Sequence, residues 1–79
     1  MSVPRLYSFR KLKQKAQKIN IEWIPCRGKG GHGIFKGKDI NGHIRSYPLP
    51  SSQHKREITS TYLKGFLRRF GLDEDFLQD

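Results

Sequence analysis

The chain holds a single cysteine, Cys26, and only seven acidic residues among 79. One thiol excludes a disulfide framework and a cysteine-rich zinc site. No apolar run approaches the roughly 20 residues that span a bilayer. The start, Met1-Ser2-Val3-Pro4-Arg5, leads into no apolar stretch of the secretory type. The expectation is a cytoplasmic protein with no membrane association. Apolar residues make up 34% of the sequence, against about 45–50% in ordinary domains. The core must therefore be small, since a chain of this size buries only roughly 60% of its unfolded surface. Internal repeats, linkers and low-complexity blocks are also missing, so residues 1–79 read as one domain.

Positive charge is what the chain has in excess. Sixteen Lys and Arg against seven acids give a net +9. Asp73, Glu74, Asp75 and Asp79 place four of those acids in the last seven residues, so residues 1–72 set sixteen cations against three acids, a net +13. Five Phe, three Tyr and one Trp exclude a disordered basic tail. On a folded domain such an excess points to a polyanionic partner, of which nucleic acid is the commonest. An acidic protein partner, or solubility alone, accounts for the same charge.

The apolar spacing predicts five elements. Phe9, Leu12, Ala16 and Ile19 form one stripe of a helix from Ser8 to Ile19, with Ser8 as N-cap and Arg10, Lys11, Lys13, Lys15 and Lys18 between the apolar positions. Ile21 to Arg27 reads as a strand, at an edge because Pro25 cannot donate to a ladder. Gly28-Lys29-Gly30-Gly31 permits a tight hairpin. Strands from His32 to Lys36 and from His43 to Leu49 follow, joined by a turn through Gly37, Asp39, Asn41 and Gly42. A second helix runs from Thr59 to Phe70, with Tyr62, Leu63, Phe66, Leu67 and Phe70 as its apolar face. Gly71 suits its C-cap, Arg68 and Arg69 complement its dipole, and Asp73 caps a final turn carrying Phe76 and Leu77. The expected class is α+β in the order α-β-β-β-α, a three-stranded antiparallel sheet with two helices on one face. With Phe35 and Ile44 assigned to the core, the open face would carry His32, His43, Lys36, Arg45 and Tyr47. Basic and aromatic side chains sharing a face suit phosphate and base contacts.

Three histidines are candidates for acid–base chemistry: His32, His43 and His54. None has the i, i+4 spacing of a helical metal site, which leaves metal binding a weak reading; the expectation is no metal and no cofactor. His32 stands out by placement. It follows Gly30-Gly31, with Arg27 and Lys29 before it and Lys36 after it. Glycine-rich turns let a phosphate approach backbone amides, and neighbouring cations favour the neutral imidazole that a general base needs. The same glycines also suffice for a hairpin with no ligand.

The run Trp23-x3-Arg27-x2-Gly30-Gly31-His32-x2-Phe35 resembles the signature of the HicA (YcfA-like) family, small mRNA interferases of type II toxin–antitoxin systems. Glu57-Ile58-x4-Leu63-x3-Leu67-x3-Gly71-Leu72 is similar to that family's second helix, and Pro50 with His54-Lys55 to the basic loop before it. The likeness covers about residues 6–76. It implies the fold of double-stranded RNA-binding domains and ribosome-independent endoribonuclease activity without a metal. It puts the catalytic histidine on His32. The implied partners are mRNA and a HicB-like antitoxin, with DNA reached only through the antitoxin. RNA or phosphate contacts are expected from Arg27, Lys29, Gly30, Gly31, Lys36, Arg45, His54 and Lys55. Three stretches depart from the pattern. Gly31 replaces a usual Ser and removes a hydroxyl beside His32, Thr61-Tyr62 stands where Gly-Thr is common, and Pro48 to Arg56 is longer and more polar. The change at Gly31 keeps an alternative open, a non-catalytic RNA-binding module of the same fold.

Overall fold

A computed structural model describes residues 3–25, 33–50, 53 and 56–78. Among them the chain forms an α+β domain. Strand β1 (Leu6–Ser8) runs straight into helix α1 (Phe9–Lys18). The Ser8 Oγ accepts the Lys11 backbone N–H at 3.3 Å, which satisfies one of the free donors at the helix start. Phe9, Leu12 and Ala16 are buried as their spacing requires. Ile19 departs from the expected stripe: it is the C-cap residue and 40% exposed. Asn20 then takes φ 64°, a left-handed turn that asparagine tolerates, and carries the chain to buried Ile21.

Strands β2 (Glu22–Ile24), β3 (Gly33–Lys38) and β4 (Ile44–Leu49) make an antiparallel sheet in that order. Both outer strands are edges; Pro48 is tolerated within β4, and β2 ends at Ile24, one residue before Pro25. The β3–β4 turn is organised by Asp39, whose Oδ1 accepts the N–H groups of Asn41 and His43, each at 2.9 Å. Ile40 donates its N–H to the carbonyl of Phe70 at 3.2 Å and so ties this turn to the end of the second helix.

Strand β5 (Glu57–Thr59) leads into helix α2 (Ser60–Phe70). It pairs antiparallel with β1, Tyr7 opposite Ile58, in a separate two-stranded sheet absent from the expected five elements. The pairing sets the starts of α1 and α2 side by side, reinforced by Phe9 N–H to the Arg56 carbonyl and Ser60 N–H to the Arg5 carbonyl, each at 3.0 Å. Thr59 is the N-cap of α2 but makes no side-chain cap bond; its N–H and hydroxyl both donate to Gln53 Oε1. Gly71 ends α2 with φ 70°, the left-handed conformation a C-cap glycine supplies. Asp73 caps the closing 3-10 turn, Glu74–Leu77, accepting the Asp75 N–H at 3.0 Å.

The core is a chain of rings on one face of the sheet. Phe35 of β3 is fully buried. Its ring centroid lies 5.7 Å from Phe9 of α1, 4.8 Å from Trp23 of β2 and 4.9 Å from Phe66 of α2. Both helices therefore cover the same side. Phe66 continues to Phe70 at 5.1 Å and Phe76 at 6.0 Å, largely in the tilted and edge arrangements aromatic rings prefer. Leu12, Leu49, Ile58 and Leu63 fill the remaining interior. No helix among the described residues is long and apolar enough to cross a membrane.

Candidate nucleic-acid interface

The β2–β3 hairpin is closed by its aromatic residues. Trp23 and Phe35 are direct cross-strand partners, and Trp23 also meets Phe9 edge-on at 4.8 Å. Gly33, the first residue of β3, is buried under the indole; a Cβ there would collide with the Trp23 ring. In the sequence, His32 immediately precedes Gly33. His32 itself, with Arg27, Lys29, Gly30, Gly31, His54 and Lys55, lies outside the described residues. Of the expected contact residues, Lys36 and Arg45 can be placed.

They fall on opposite faces. Phe35 pairs with Tyr47 and Gly37 with Arg45, so Tyr47 and Arg45 share the helix side with Phe35. Lys36 pairs with Ser46 and with Glu22 on the open side. The assignment of Ile44 to the core is thus overturned: it is 68% exposed on the open face. Strand alternation fixes which residues share a face but not which face is inward. Here Tyr47 decides it, because its ring packs 6.2 Å from Phe66 and its hydroxyl donates to the Tyr62 carbonyl at 2.8 Å. His43 lies exposed in the turn before β4.

The open face is consequently less aromatic and more aliphatic than expected. Ile19, Glu22, Ile24, Lys36, Lys38 and Ile44 line a shallow cleft of about 560 Å³. Lys38 joins Lys36 there by the same two-residue alternation. That contribution is legible once Lys36 is assigned outward.

On α1, Lys11, Lys15 and Lys18 with Gln14 and Gln17 line a second basic cleft. Lys15 Nζ donates to the Gln78 carbonyl at 2.7 Å, so this face also helps to hold the C-terminal turn. On the helix side of β4, Arg45 Nε donates to Asp39 Oδ2 at 3.0 Å. That bond, with the His43 and Asn41 amides, holds the Asp39 carboxyl below its ordinary value of 3.8. Burial pushes the Tyr47 hydroxyl above its ordinary 10.0. Among the described residues, no three His, Cys, Asp or Glu side chains converge as metal ligands do.

No protein-family model, curated protein or solved structure matches the chain.

Proposed function

We propose that the chain is an endoribonuclease of the kind its motif resembles, a HicA-like mRNA interferase restrained by a HicB-like antitoxin. The observation that carries this reading is the hairpin. The motif's two aromatic ends, Trp23 and Phe35, are cross-strand partners with ring centroids 4.8 Å apart. The motif's basic, glycine and histidine positions fall in the sequence between them, as a catalytic loop on a packed base requires. The order α1, β2, β3, β4, α2, with both helices against one sheet face, supports a fold of the double-stranded RNA-binding-domain type. The net charge of +9 supports an RNA partner.

In the proposed reaction, neutral His32 takes the proton of a ribose 2′-hydroxyl. The 2′-oxygen attacks the adjacent phosphorus, and the bond to the 5′-oxygen breaks. That oxygen leaves with a proton from solvent or a second acid. The products are a 2′,3′-cyclic phosphate and a 5′-hydroxyl. Lys36 on the open face, with the sequence-adjacent Lys29, would offset charge growing on the phosphate. A positioned base supplies about 10²–10⁴-fold, enough for a slow nuclease.

The test is incubation of the purified protein with a mixed mRNA in EDTA beside His32→Ala. Fragments from the wild type alone support the proposal. Cleavage by His32→Ala at the wild-type rate overturns the assignment of His32. Intact RNA in a retained complex supports instead the non-catalytic RNA-binding module, and makes Gly31→Ser the first reversion to try.

A further inference from the structure

A notch lies between β4 and α2, on the side of the sheet away from Lys36. Arg45, Tyr47, Gly65, Arg68 and Arg69 line it, and it encloses about 410 Å³. Its construction is specific. Arg45 and Tyr47 are two residues apart on β4 and point the same way. Gly65, Arg68 and Arg69 stand at i, i+3 and i+4 on α2 and share one helix face. A glycine inside a helix costs about 1 kcal/mol relative to alanine, and here a close approach explains it. A Cβ on Gly65 would collide with the Tyr47 hydroxyl, which crosses at that point to reach the Tyr62 carbonyl. Gly65 thus lets the strand approach the helix and brings three arginines around one opening.

Those arginines have spare donors. Arg45 uses its Nε on Asp39, which fixes the side chain and leaves both terminal nitrogens without a hydrogen bond among the described residues. Arg68 and Arg69 are exposed, and no carboxylate among the described residues pairs with either. Part of their presence is explained by the C-terminal end of the helix dipole. The dipole does not call for a third arginine from another element, held by Asp39 and lining the same opening. Three arginines lining one small polar opening offer planar guanidinium donors of the kind that bind a phosphate diester.

We infer that this notch binds a phosphodiester of the RNA strand, as an anchor on the opposite side of the sheet from Lys36. The inference rests on the RNA reading above and deepens it. The notch holds substrate and performs no chemistry.

The test uses the full chain and a fluorescently labelled oligouridylate, with binding followed by anisotropy across a salt series. Arg68→Gln/Arg69→Gln is compared with a charge-matched pair on α1, away from the notch, Arg10→Gln/Lys13→Gln. The expected result is a loss of about tenfold or more for the notch pair. The slope of log affinity against log salt should fall by about 0.7 for each phosphate that the variant no longer neutralises. The control pair should lose less than about threefold. Arg69→Lys, which keeps the charge but not the fork, should recover only part of the loss from Arg69→Gln. That single-site series also decides the matter if the double variant melts early. Equal losses from notch and control pairs, or no loss from either, overturn the inference. RNA that is cut in EDTA by a protein indifferent to the notch substitutions overturns the notch and leaves the nuclease standing. RNA that is held through the notch but never cut does the reverse.

Discussion

Alanine substitutions at the two ends of β4 separate the faces of that strand. Leu49 is fully buried on the helix side, and Ile44 is 68% exposed on the open side. Truncating a buried leucine removes its transfer free energy and leaves a partly unfilled cavity, at about 2–5 kcal/mol. An exposed aliphatic with no packing role costs within about 0.5 kcal/mol. A 79-residue domain at about 0.05–0.15 kcal/mol per residue has only about 4–12 kcal/mol in total. Leu49→Ala therefore takes a large fraction of the stability, and Ile44→Ala almost none. Urea unfolding read by Trp23, the one tryptophan of the chain and half-buried against Phe9 and Phe35, reports both. With a slope near 1–1.5 kcal/mol per molar urea, the Leu49→Ala midpoint should fall by about 1.3 M or more, and that of Ile44→Ala by less than about 0.5 M. A reversed order, with Ile44→Ala the more damaging of the two, would mean that Ile44 faces inward and Leu49 outward. The register between β3 and β4 would then be off by one residue, which exchanges every side chain between the faces.

Asp39→Asn should lower stability at neutral pH by weakening the Arg45 contact. Because Arg45 and the turn amides depress the folded-state value of this carboxyl below 3.8, its contribution is present above that pH and is lost as pH falls through the lower folded-state value. The gap between wild type and variant, read from melts across an acid series, should close there; a gap independent of pH would refute the coupling. Tyr47→Phe removes the 2.8 Å bond to the Tyr62 carbonyl and should cost about 0.5–1.5 kcal/mol. It should also abolish a tyrosinate absorbance step lying above pH 10.0 in the wild type, which alkaline difference spectroscopy detects. Lys36→Gln and Arg45→Gln, combined, should lower RNA affinity by the product of their single effects, since residues without shared partners act independently; a departure beyond about 0.5 kcal/mol would place both on one phosphate.

The helices are legible in the sequence because their signals are local and redundant. Ser8 before a stripe of Phe9, Leu12 and Ala16, and Gly71 after Phe66, Leu67 and Phe70, each state a boundary and a buried face together. The pairing of β1 with β5 is not legible. Each strand is three residues long, and their partnership joins Leu6 to Thr59 through backbone bonds that no side-chain pattern announces. The faces of β4 mislead for a different reason. Ile44 is as apolar as a core residue, whereas Arg45 and Tyr47 look like surface. What turns Tyr47 inward is a carbonyl on α2 and the space left by Gly65, features of the other half of the chain. Arg68 and Arg69 show in the sequence only as dipole complements, because their third partner, Arg45, arrives by the same fold-back.

The opposite placement of Lys36 and Arg45 changes how the proposed chemistry can be divided. Their side chains leave opposite faces of one sheet, so the backbone layer stands between them and a single phosphorus is not flanked by both. On the proposed reading, charge that develops in the transition state at the hairpin is met from the open side, by Lys36. Arg45, with Arg68 and Arg69, meets a phosphate that stays unchanged through the reaction. Interactions equal in ground and transition states lower KM and leave kcat alone, whereas those that strengthen in the transition state raise kcat. The arginine notch and the lysine face therefore act on different constants. The cations that sequence alone groups into one contact surface divide into those that hold the strand and those that assist its cleavage.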